Sequence, residues 1–273
     1  VSPAGVVRDQ LGIAINIGTG IQTKPAVAWV GSKWLVVWNN NGNIEAASVP
    51  ASGAPITQLG VVETGNASLP AVAARGTQAL VAWQSGLDIR GSVFNGTSFG
   101  AGFAIAATAA DEVDPAVGAN PAGDYLVTWT EGTTAQDTKA QRVTSAGAMN
   151  GAAIVLSNAT GVQSETAVAF TGTDFITTWT DRNDLFGARV STAGAVLDTH
   201  VEGANTFGGV AVSTATGAQV TSTVACDPGS CLVVWADRRA INTNGFDLFG
   251  QRMSFAMAAV GAEITVSAPQ RAQ

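Results

Sequence analysis

Two carboxylates stand at matching places in a repeated sequence, where they could perform acid–base chemistry. Asp114 and Glu165 each precede a segment that begins Pro-Ala-Val or Thr-Ala-Val, and the other copies carry Lys24, Leu69 and Thr221 at this place. A pair of carboxylates across a cleft is the minimum for hydrolysis of a glycosidic bond, with one as acid and the other as base or nucleophile. If these segments are the innermost strands of a ring, the two acids lie on neighbouring units at one mouth of its channel. Two solvated carboxylates on a rim are the simpler interpretation.

A second set of carboxylates belongs to a motif that occurs twice, Trp-x-Asp-Arg followed by Asp-Leu-Phe-Gly-x-Arg. It contains Asp181 and Asp184 in one copy, and Asp237 and Asp247 in the other. Opposed carboxylates and guanidinium groups on adjacent strands can pair bidentately and fix the strand register, which is the structural interpretation. As the alternative, the four acids could supply oxygen ligands to calcium. We therefore expect no cofactor, with calcium at these four positions as the alternative.

The remaining candidates are binding residues rather than catalytic ones. His200 is the single histidine of the chain, and it cannot complete a catalytic triad or a zinc site from its local sequence. It lies with Asn205 in an insertion of the fourth repeat, and such insertions often map to a binding face, although a tolerated surface loop is the simpler interpretation. Trp29, Trp34 and Tyr125 depart from the regular aromatic positions of the repeat, so each is a candidate for stacking on a sugar ring.

The elements that position these residues are indicated by five tryptophans that recur at intervals of 45, 46, 50 and 56 residues, namely Trp38, Trp83, Trp129, Trp179 and Trp235. Each ends an apolar strand; in the first copy, neither alternate position is polar, and such a strand is covered on both faces. Blades of a β-propeller are small sheets packed face to face around a channel, and they meet this demand. The sequence predicts an all-β, five-bladed β-propeller of four-stranded antiparallel blades.

One propeller accounts for all 273 residues, and no linker or second domain interrupts it. The predicted repeats cover 24–68, 69–113, 114–164, 165–220 and 221–268. Residues 1–23 supply an extra fourth strand near 11–17, which we expect to help to close the last blade and so to protect an open edge. The alternative is a piece of a longer array, so that the propeller is part of a larger chain or assembly.

The first turn of the repeats predicts cross-strand pairs, such as Trp29 opposite Trp34, because directly opposed side chains interact most strongly in a hairpin. In the fifth repeat this site holds Cys226 and Cys231, the two cysteines of the chain. We expect them to form a disulfide that staples one hairpin. A reduced pair or half of a metal site is the alternative.

The composition restricts the partners and the location. Lys and Arg total 13 against 20 Asp and Glu, so the formal net charge is −7. An acidic chain without a basic stripe argues against nucleic acid as a partner, and no apolar run approaches the roughly 18 residues of a membrane-spanning helix. The predicted disulfide favours an extracellular or cell-surface location, and the bias toward Ala, Gly, Val and Thr suits a bacterial secreted protein.

The pattern PAVA…LVVW.D.R…D[IL][FY]G.RV resembles tandem propeller repeats of secreted or surface proteins of bacteria, and the five-bladed ring is broadly similar in shape to tachylectin-2-type lectins. This resemblance covers essentially the whole chain and implies a fold without a single activity. We expect a non-enzymatic binding or assembly module that recognises a glycan or a protein partner through its blade loops. The alternative is a glycosidase-like, carbohydrate-active enzyme with Asp114 and Glu165 at the channel mouth.

Overall fold

The computed structural model describes residues 12–16, 18–202, 205–239 and 245–267. These residues form an all-β fold that contains five four-stranded antiparallel sheets and one additional two-stranded hairpin. Every four-stranded sheet is a meander whose strands pair in chain order, and we call the sheets blades 1 to 5. Across the described ranges, no helix is long and apolar enough to cross a membrane.

Blades 1 to 3 have strands of seven to nine residues on the inside and shorter strands at the outer edge of blades 2 and 3. Their bounds are β1 (Gln22–Val30), β2 (Lys33–Asn40), β3 (Asn43–Pro50) and β4 (Thr57–Glu63); β5 (Ala67–Arg75), β6 (Gln78–Ser85), β7 (Asp88–Phe94) and β8 (Phe103–Ala106); and β9 (Glu112–Ala119), β10 (Tyr125–Glu131), β11 (Asp137–Val143) and β12 (Ile154–Ser157).

Blade 4 differs from the others because a hairpin is inserted before its outermost strand. The bounds are β13 (Gln163–Phe170), β14 (Asp174–Asp181), β15 (Asp184–Ser191), the hairpin β16 (Thr199–Glu202) and β17 (Asn205–Gly208), and β18 (Val210–Ser213). Blade 5 consists of β19 (Gln219–Cys226), β20 (Cys231–Asp237), β21 (Asp247–Met253) and β22 (Ile264–Ser267).

The first strands of the blades are innermost and follow one another around a channel. The strand β1 contacts β5, β5 contacts β9, β9 contacts β13, and β13 contacts β19. Residues at the start of all five of these strands line one cavity. This arrangement confirms the predicted β-propeller of four-stranded antiparallel blades.

The five repeated tryptophans are each at most 4 % exposed; four lie between blades, and Trp38 packs against the N-terminal segment and the outer strands of blade 1. Trp83 packs among residues of blades 1 and 2, Trp129 among those of blades 2 and 3, Trp179 among those of blades 3 and 4, and Trp235 among those of blades 4 and 5. A tryptophan buries a large apolar area, so these four interfaces carry much of the hydrophobic stabilisation. The structure confirms the prediction that these residues are packing elements.

Among the described residues, the fifth interface, between blades 5 and 1, lacks the close packing of the other four, and we call it the seam. Leu232 of blade 5 is 40 % exposed, whereas the residues at the same place in the other blades are fully buried, namely Leu35, Leu80, Leu126 and Ile176. On the other side of the seam, Trp34 of blade 1 is 44 % exposed, although its counterparts Ala79, Tyr125, Phe175 and Cys231 are buried. Apolar side chains therefore face each other across the seam without the close packing of the other interfaces.

The N-terminal segment lies against blade 1. Residues 12–16 form no strand, and Ile15 packs against the face of blade 1 that carries Val36 and Trp38. The Gln58 side chain donates a hydrogen bond to the Ile15 carbonyl at 2.5 Å. The prediction of a strand near 11–17 is therefore wrong for residues 12–16. Residues 1–11 and 17 lie outside the described residues, so the role of residues 1–23 in closing the last blade stays a prediction.

The predicted cross-strand pairs are present in the first hairpins. Trp29 lies opposite Trp34 in the register of blade 1. Cys226 lies opposite Cys231 in blade 5 and forms a disulfide with it, at a Cα–Cα distance of 4.0 Å. The structure therefore confirms the predicted disulfide and the hairpin geometry from which it was inferred.

Candidate active site at the channel mouth

A β-bulge in each innermost strand shapes the mouth of the channel. In every blade the register between the first and second strands shifts at the same place, where an extra residue enters the first strand. One residue at each bulge has a left-handed backbone, namely Lys24 (φ 51°), Leu69 (φ 51°), Asp114 (φ 54°), Glu165 (φ 57°) and Thr221 (φ 53°). Bulges re-aim side chains, and here they turn five different side chains toward one point.

The left-handed backbone is unfavourable for all five residues, because none of them is glycine. The conformation costs about 1–2 kcal/mol for an ordinary L-residue, and it persists only where the surrounding structure imposes it. The interfaces between the blades lie further along the same strands, and they hold the bulges in place. The sequence indicated the equivalence of these positions but contained no signal for their backbone conformation.

The five bulge residues and the residues that follow them line a cavity of about 350 Å³. Asp114 and Glu165 come from the neighbouring blades 3 and 4 and are half-buried, whereas Lys24 and Thr221 are exposed. The following residues complete the wall, namely Pro25, Pro70, Pro115, Thr166 and Ser222. The structure thus brings together the two carboxylates that the sequence placed at one mouth.

The two carboxylates have different environments. Glu165 accepts hydrogen bonds from the Thr221 backbone N–H at 2.5 Å and from the Thr221 hydroxyl at 3.2 Å, which hold it against blade 5. No hydrogen bond from another described residue reaches the Asp114 carboxylate. Its pKa is raised above its usual value by burial and by the charge of Glu165, while the Lys24 ammonium partly offsets this rise. Glu165 is positioned as an acceptor, and the raised pKa of Asp114 lets it keep its proton to a higher pH than an ordinary aspartate does, which suits a general acid.

Hydroxyl pairs behind the mouth join the acidic blades to their neighbours. The hydroxyls of Thr128 and Thr166 are 2.9 Å apart and link blades 3 and 4, and those of Thr178 and Ser222 are also 2.9 Å apart and link blades 4 and 5. Sequence reasoning missed these supporting residues. The available signal was the replacement of the repeat proline by Thr166 and Ser222 in the fourth and fifth copies.

The aromatic candidates do not reach the mouth. Trp29 and Trp34 form an edge-to-face pair with ring centroids 4.8 Å apart, at the far end of blade 1 and beside the seam. Both rings are partly exposed, at 42 % and 44 %. Tyr125 is fully buried between blades 2 and 3, so the prediction that it stacks on a ligand is wrong. Its position in the repeat is an inter-blade packing position.

The insertion of the fourth repeat is a hairpin rather than the expected loop. His200 of β16 stacks on Phe186 and lies near Phe207, with ring centroids 4.8 Å and 5.9 Å away. Its Nδ1 atom is 2.9 Å from the Gly209 carbonyl oxygen, which fixes the ring. Asn205 begins β17 and is exposed. Neither polar candidate lines the cavity at the mouth.

The acids of the repeated motif form two separate pairs. Asp181 lies opposite Asp184 in blade 4, and Asp237 lies opposite Asp247 in blade 5. Within the described part of the chain, no group of three or more His, Cys, Asp or Glu side chains could hold a metal ion. The alternative of a calcium site built from all four acids is therefore not supported by their placement.

The guanidinium partners follow the motif in blade 4 and depart from it in blade 5. In blade 4 the motif residue Arg182 binds Asp181 at 3.1 Å, and Arg189 pairs with Asp198 at 2.8 Å. In blade 5 Arg239, which the motif did not include, binds Asp237 at 2.7 Å and Glu263 at 2.6 Å. The motif residue Arg238 instead lies over the Phe246 ring at 4.6 Å from its centroid.

Comparisons with known proteins give similarity in structure only, since no protein-family model and no curated protein matches the chain. A thermostable family-43 glycoside hydrolase has 10 % sequence identity and a TM-score of 0.54, over 95 % of this chain and 99 % of that one. An exo-1,5-α-L-arabinanase from a bovine ruminal metagenomic library has 10 % identity and a TM-score of 0.53, over 89 % and 96 %. An exo-β-1,3-galactanase from Phanerochaete chrysosporium has 11 % identity and a TM-score of 0.53, over 92 % and 66 %.

These similar structures correct the expected function. We expected a non-enzymatic binding or assembly module, whereas the solved structures that share this fold are glycoside hydrolases, which favours the enzymatic alternative. They act on glycans and give no support to a protein partner. Identities of 10 % and 11 % show a shared fold, and the activity of this chain therefore rests on its own residues.

Proposed function

We propose that this protein is a carbohydrate-active enzyme that hydrolyses glycosidic bonds at the channel mouth, with Asp114 and Glu165 as the reacting carboxylates. The observation that carries the proposal is that two carboxylates from adjacent blades share one cavity in different environments. Pairs of titratable groups whose surroundings separate their protonation behaviour are the usual acid and base of such sites.

The environments assign a role to each carboxylate. Asp114 has a raised pKa, and no described residue donates a hydrogen bond to its carboxylate, so it is the general acid that donates its proton to the glycosidic oxygen as the bond to the sugar breaks. Glu165 is held as an acceptor by Thr221 and is the base or the nucleophile. As a base it removes a proton from the attacking water, and as a nucleophile it forms a glycosyl–enzyme bond that water then cleaves.

Two further observations support a glycan as the substrate. The structures with the same fold are hydrolases named for arabinan and galactan bonds. The cavity of about 350 Å³ is open at a mouth, and cavities of roughly 300–1,000 Å³ are the usual size for small ligands. Arabinans and galactans are therefore the first polysaccharides to be tested.

The experiment is a screen of defined polysaccharides and oligosaccharides with the wild-type protein and with the Asp114→Asn and Glu165→Gln variants. Loss of a general acid or base lowers the rate by about 10²–10⁴-fold. Asp88→Asn and Glu202→Gln are matched controls, because these carboxylates do not line the cavity, and we expect near wild-type rates from them. Hydrolysis that persists in the Asp114/Glu165 double variant contradicts the assignment, and a folded wild-type protein that cleaves none of the glycans contradicts the function.

We also propose an extracellular or cell-surface setting in a bacterium. The Cys226–Cys231 disulfide supports this location, since such bonds persist mainly in oxidising compartments. Mass spectrometry of the protein isolated from its source with an alkylating reagent tests it: alkyl groups on both cysteines, which mark reduced thiols in the source, contradict the proposal. The resemblance in shape to tachylectin-2-type lectins and the division of residues 1–273 into the stated repeats stay predictions.

A further inference from the structure

The cavity at the mouth contains a cation as well as the two acids. Among the described residues that line it, Lys24 is the single lysine or arginine. Its side chain is exposed and forms no ion pair with another described residue. A lysine that lines a cavity and has no ion-pair partner among the described residues is available to a bound ligand.

The order of the blades places this cation across the channel from the acids. Lys24 belongs to blade 1, and Asp114 and Glu165 belong to blades 3 and 4. In a ring of five, the element opposite blade 1 is the boundary between blades 3 and 4. Leu69 of blade 2 and Thr221 of blade 5 lie on either side, and the Thr221 hydroxyl already binds Glu165. A ligand in the cavity therefore lies between one positive and one acidic wall.

We propose that the substrate carries a negative charge on the sugar bound in this cavity, in the form of a uronic acid whose carboxylate binds the Lys24 ammonium. The glycosidic bond then lies on the opposite side, at Asp114 and Glu165. This inference rests on the proposed function and names the substrate class of the same site. A charged hydrogen bond from an ammonium to a carboxylate is about twice as strong as a neutral one.

The arrangement also explains how an anion can bind beside two acids. A carboxylate bound to the Lys24 ammonium is closer to that charge than to Asp114 and Glu165 on the other blades, and the Coulomb energy falls with distance, so the attraction is the larger effect. The opposite orientation places like charges together, and this excludes the reversed binding mode. A neutral sugar fits the same cavity but leaves the lysine without a charged partner.

The test compares a uronic acid oligosaccharide with its carboxyl-reduced, neutral counterpart, which has the same linkage and size. We expect the wild-type protein to prefer the acidic form in kcat/KM by about 10- to 100-fold, the range of one hydrogen bond to a charged group. The Lys24→Met variant should lose this preference, and Lys24→Arg should retain most of it. Because removal of Lys24 also changes the pKa of Asp114 for both substrates, the ratio between them isolates the contact.

Lys33→Met is the matched control, because Lys33 is at the other end of β1–β2 and lies near the Phe94 ring instead of the cavity. It should leave both the rates and the preference unchanged. Equal rates for the acidic and neutral substrates in the wild-type protein overturn the inference. So does an undiminished preference in Lys24→Met.

Calorimetric binding to the Asp114→Asn/Glu165→Gln variant separates this inference from the proposed function, because it requires no hydrolysis. Tighter binding of the acidic oligosaccharide, lost on Lys24→Met, supports the uronate site even if no glycan is cleaved. Binding of neither form overturns it even if a neutral glycan is hydrolysed. A sulfated neutral oligosaccharide is the third ligand, and equal or tighter binding of the sulfate overturns the assignment to a carboxylate.

Discussion

Because the seam between blades 5 and 1 is loosely packed, the leucine at one position of the repeat should contribute very different amounts to the free energy of unfolding in blades 3 and 5. Leu126 and Leu232 stand three residues before the repeated tryptophan in blades 3 and 5. Leu126 is fully buried, and Leu232 is 40 % exposed. Leu126→Ala removes a packed side chain and leaves a cavity, which costs about 3–4 kcal/mol. Leu232→Ala loses only part of the roughly 1.5–3 kcal/mol of full burial and leaves no enclosed cavity, so we expect about 1 kcal/mol.

Urea unfolding monitored by tryptophan fluorescence and by far-ultraviolet circular dichroism measures both values. Coincident transitions and equal m-values are required, because only then do the midpoints report the free energy of unfolding. Leu35→Ala is a second buried control, from blade 1, and should resemble Leu126→Ala. We expect the two buried variants to be less stable than Leu232→Ala by about 2 kcal/mol.

Equal losses of stability in Leu126→Ala and Leu232→Ala would refute this reasoning. They would show that blades 5 and 1 pack together in solution as closely as the other blades do. A second measurement distinguishes a closed seam from an error in the two magnitudes. The fraction of tryptophan fluorescence that acrylamide quenches should be smaller in Trp34→Phe than in the wild-type protein if the seam is open, because Trp34 is 44 % exposed.

Three further predictions concern the site and its supports. The catalytic rate should fall as the pH rises through the pKa of Asp114, and Glu165→Gln should lower this pKa because it removes the like charge; carboxyl carbon NMR titration of Asp114 measures the shift directly. Thr178→Val should reduce stability by about 1 kcal/mol in urea unfolding, since the hydroxyl partner on blade 5 is left without a bond, whereas an unchanged midpoint contradicts that role. Replacement of Cys226 and Cys231 by serine should cost only about 2 kcal/mol, because the disulfide closes a short loop, and a much larger loss in calorimetry contradicts a local staple.

The strands and turns of the repeat could be predicted from the sequence, because a feature seen in one copy can be checked at the same positions in the other copies. The period of the tryptophans indicated the blades, and the pair Trp29–Trp34 indicated the hairpin register that also placed the disulfide. The equivalence of Asp114 and Glu165 likewise followed from alignment alone, and the structure places both at one cavity. These inferences depend on strand pairing, which alternation and turn residues specify strongly.

Features that depend on contacts between distant parts of the chain could not be predicted in this way. Tyr125 looked irregular in the sequence, but its burial depends on how blades 2 and 3 pack. The partner of Asp237 depends on side-chain reach, and Arg239 binds it although Arg238 is the motif residue. The exposure of Leu232 follows from how the ends of the ring meet, which no single repeat encodes. The expectation of a non-enzymatic module, which the similar glycoside hydrolase structures contradict, was wrong for another reason. A regular fold places no limit on the chemistry at its mouth.

The bulges have a consequence for how such a site can change. Each blade contributes one mouth residue from a position outside the tryptophan-centred packing between blades. Substitution of Leu69 or Thr221 can therefore alter the chemistry of the cavity while the five sheets keep their packing. A single substitution at one of these five mouth positions can therefore replace a charged group, a hydroxyl or an apolar group there without a change in the packing of the sheets. All five positions have the unfavourable left-handed backbone, so any residue other than glycine that is placed there adds a conformational cost to the free energy of folding.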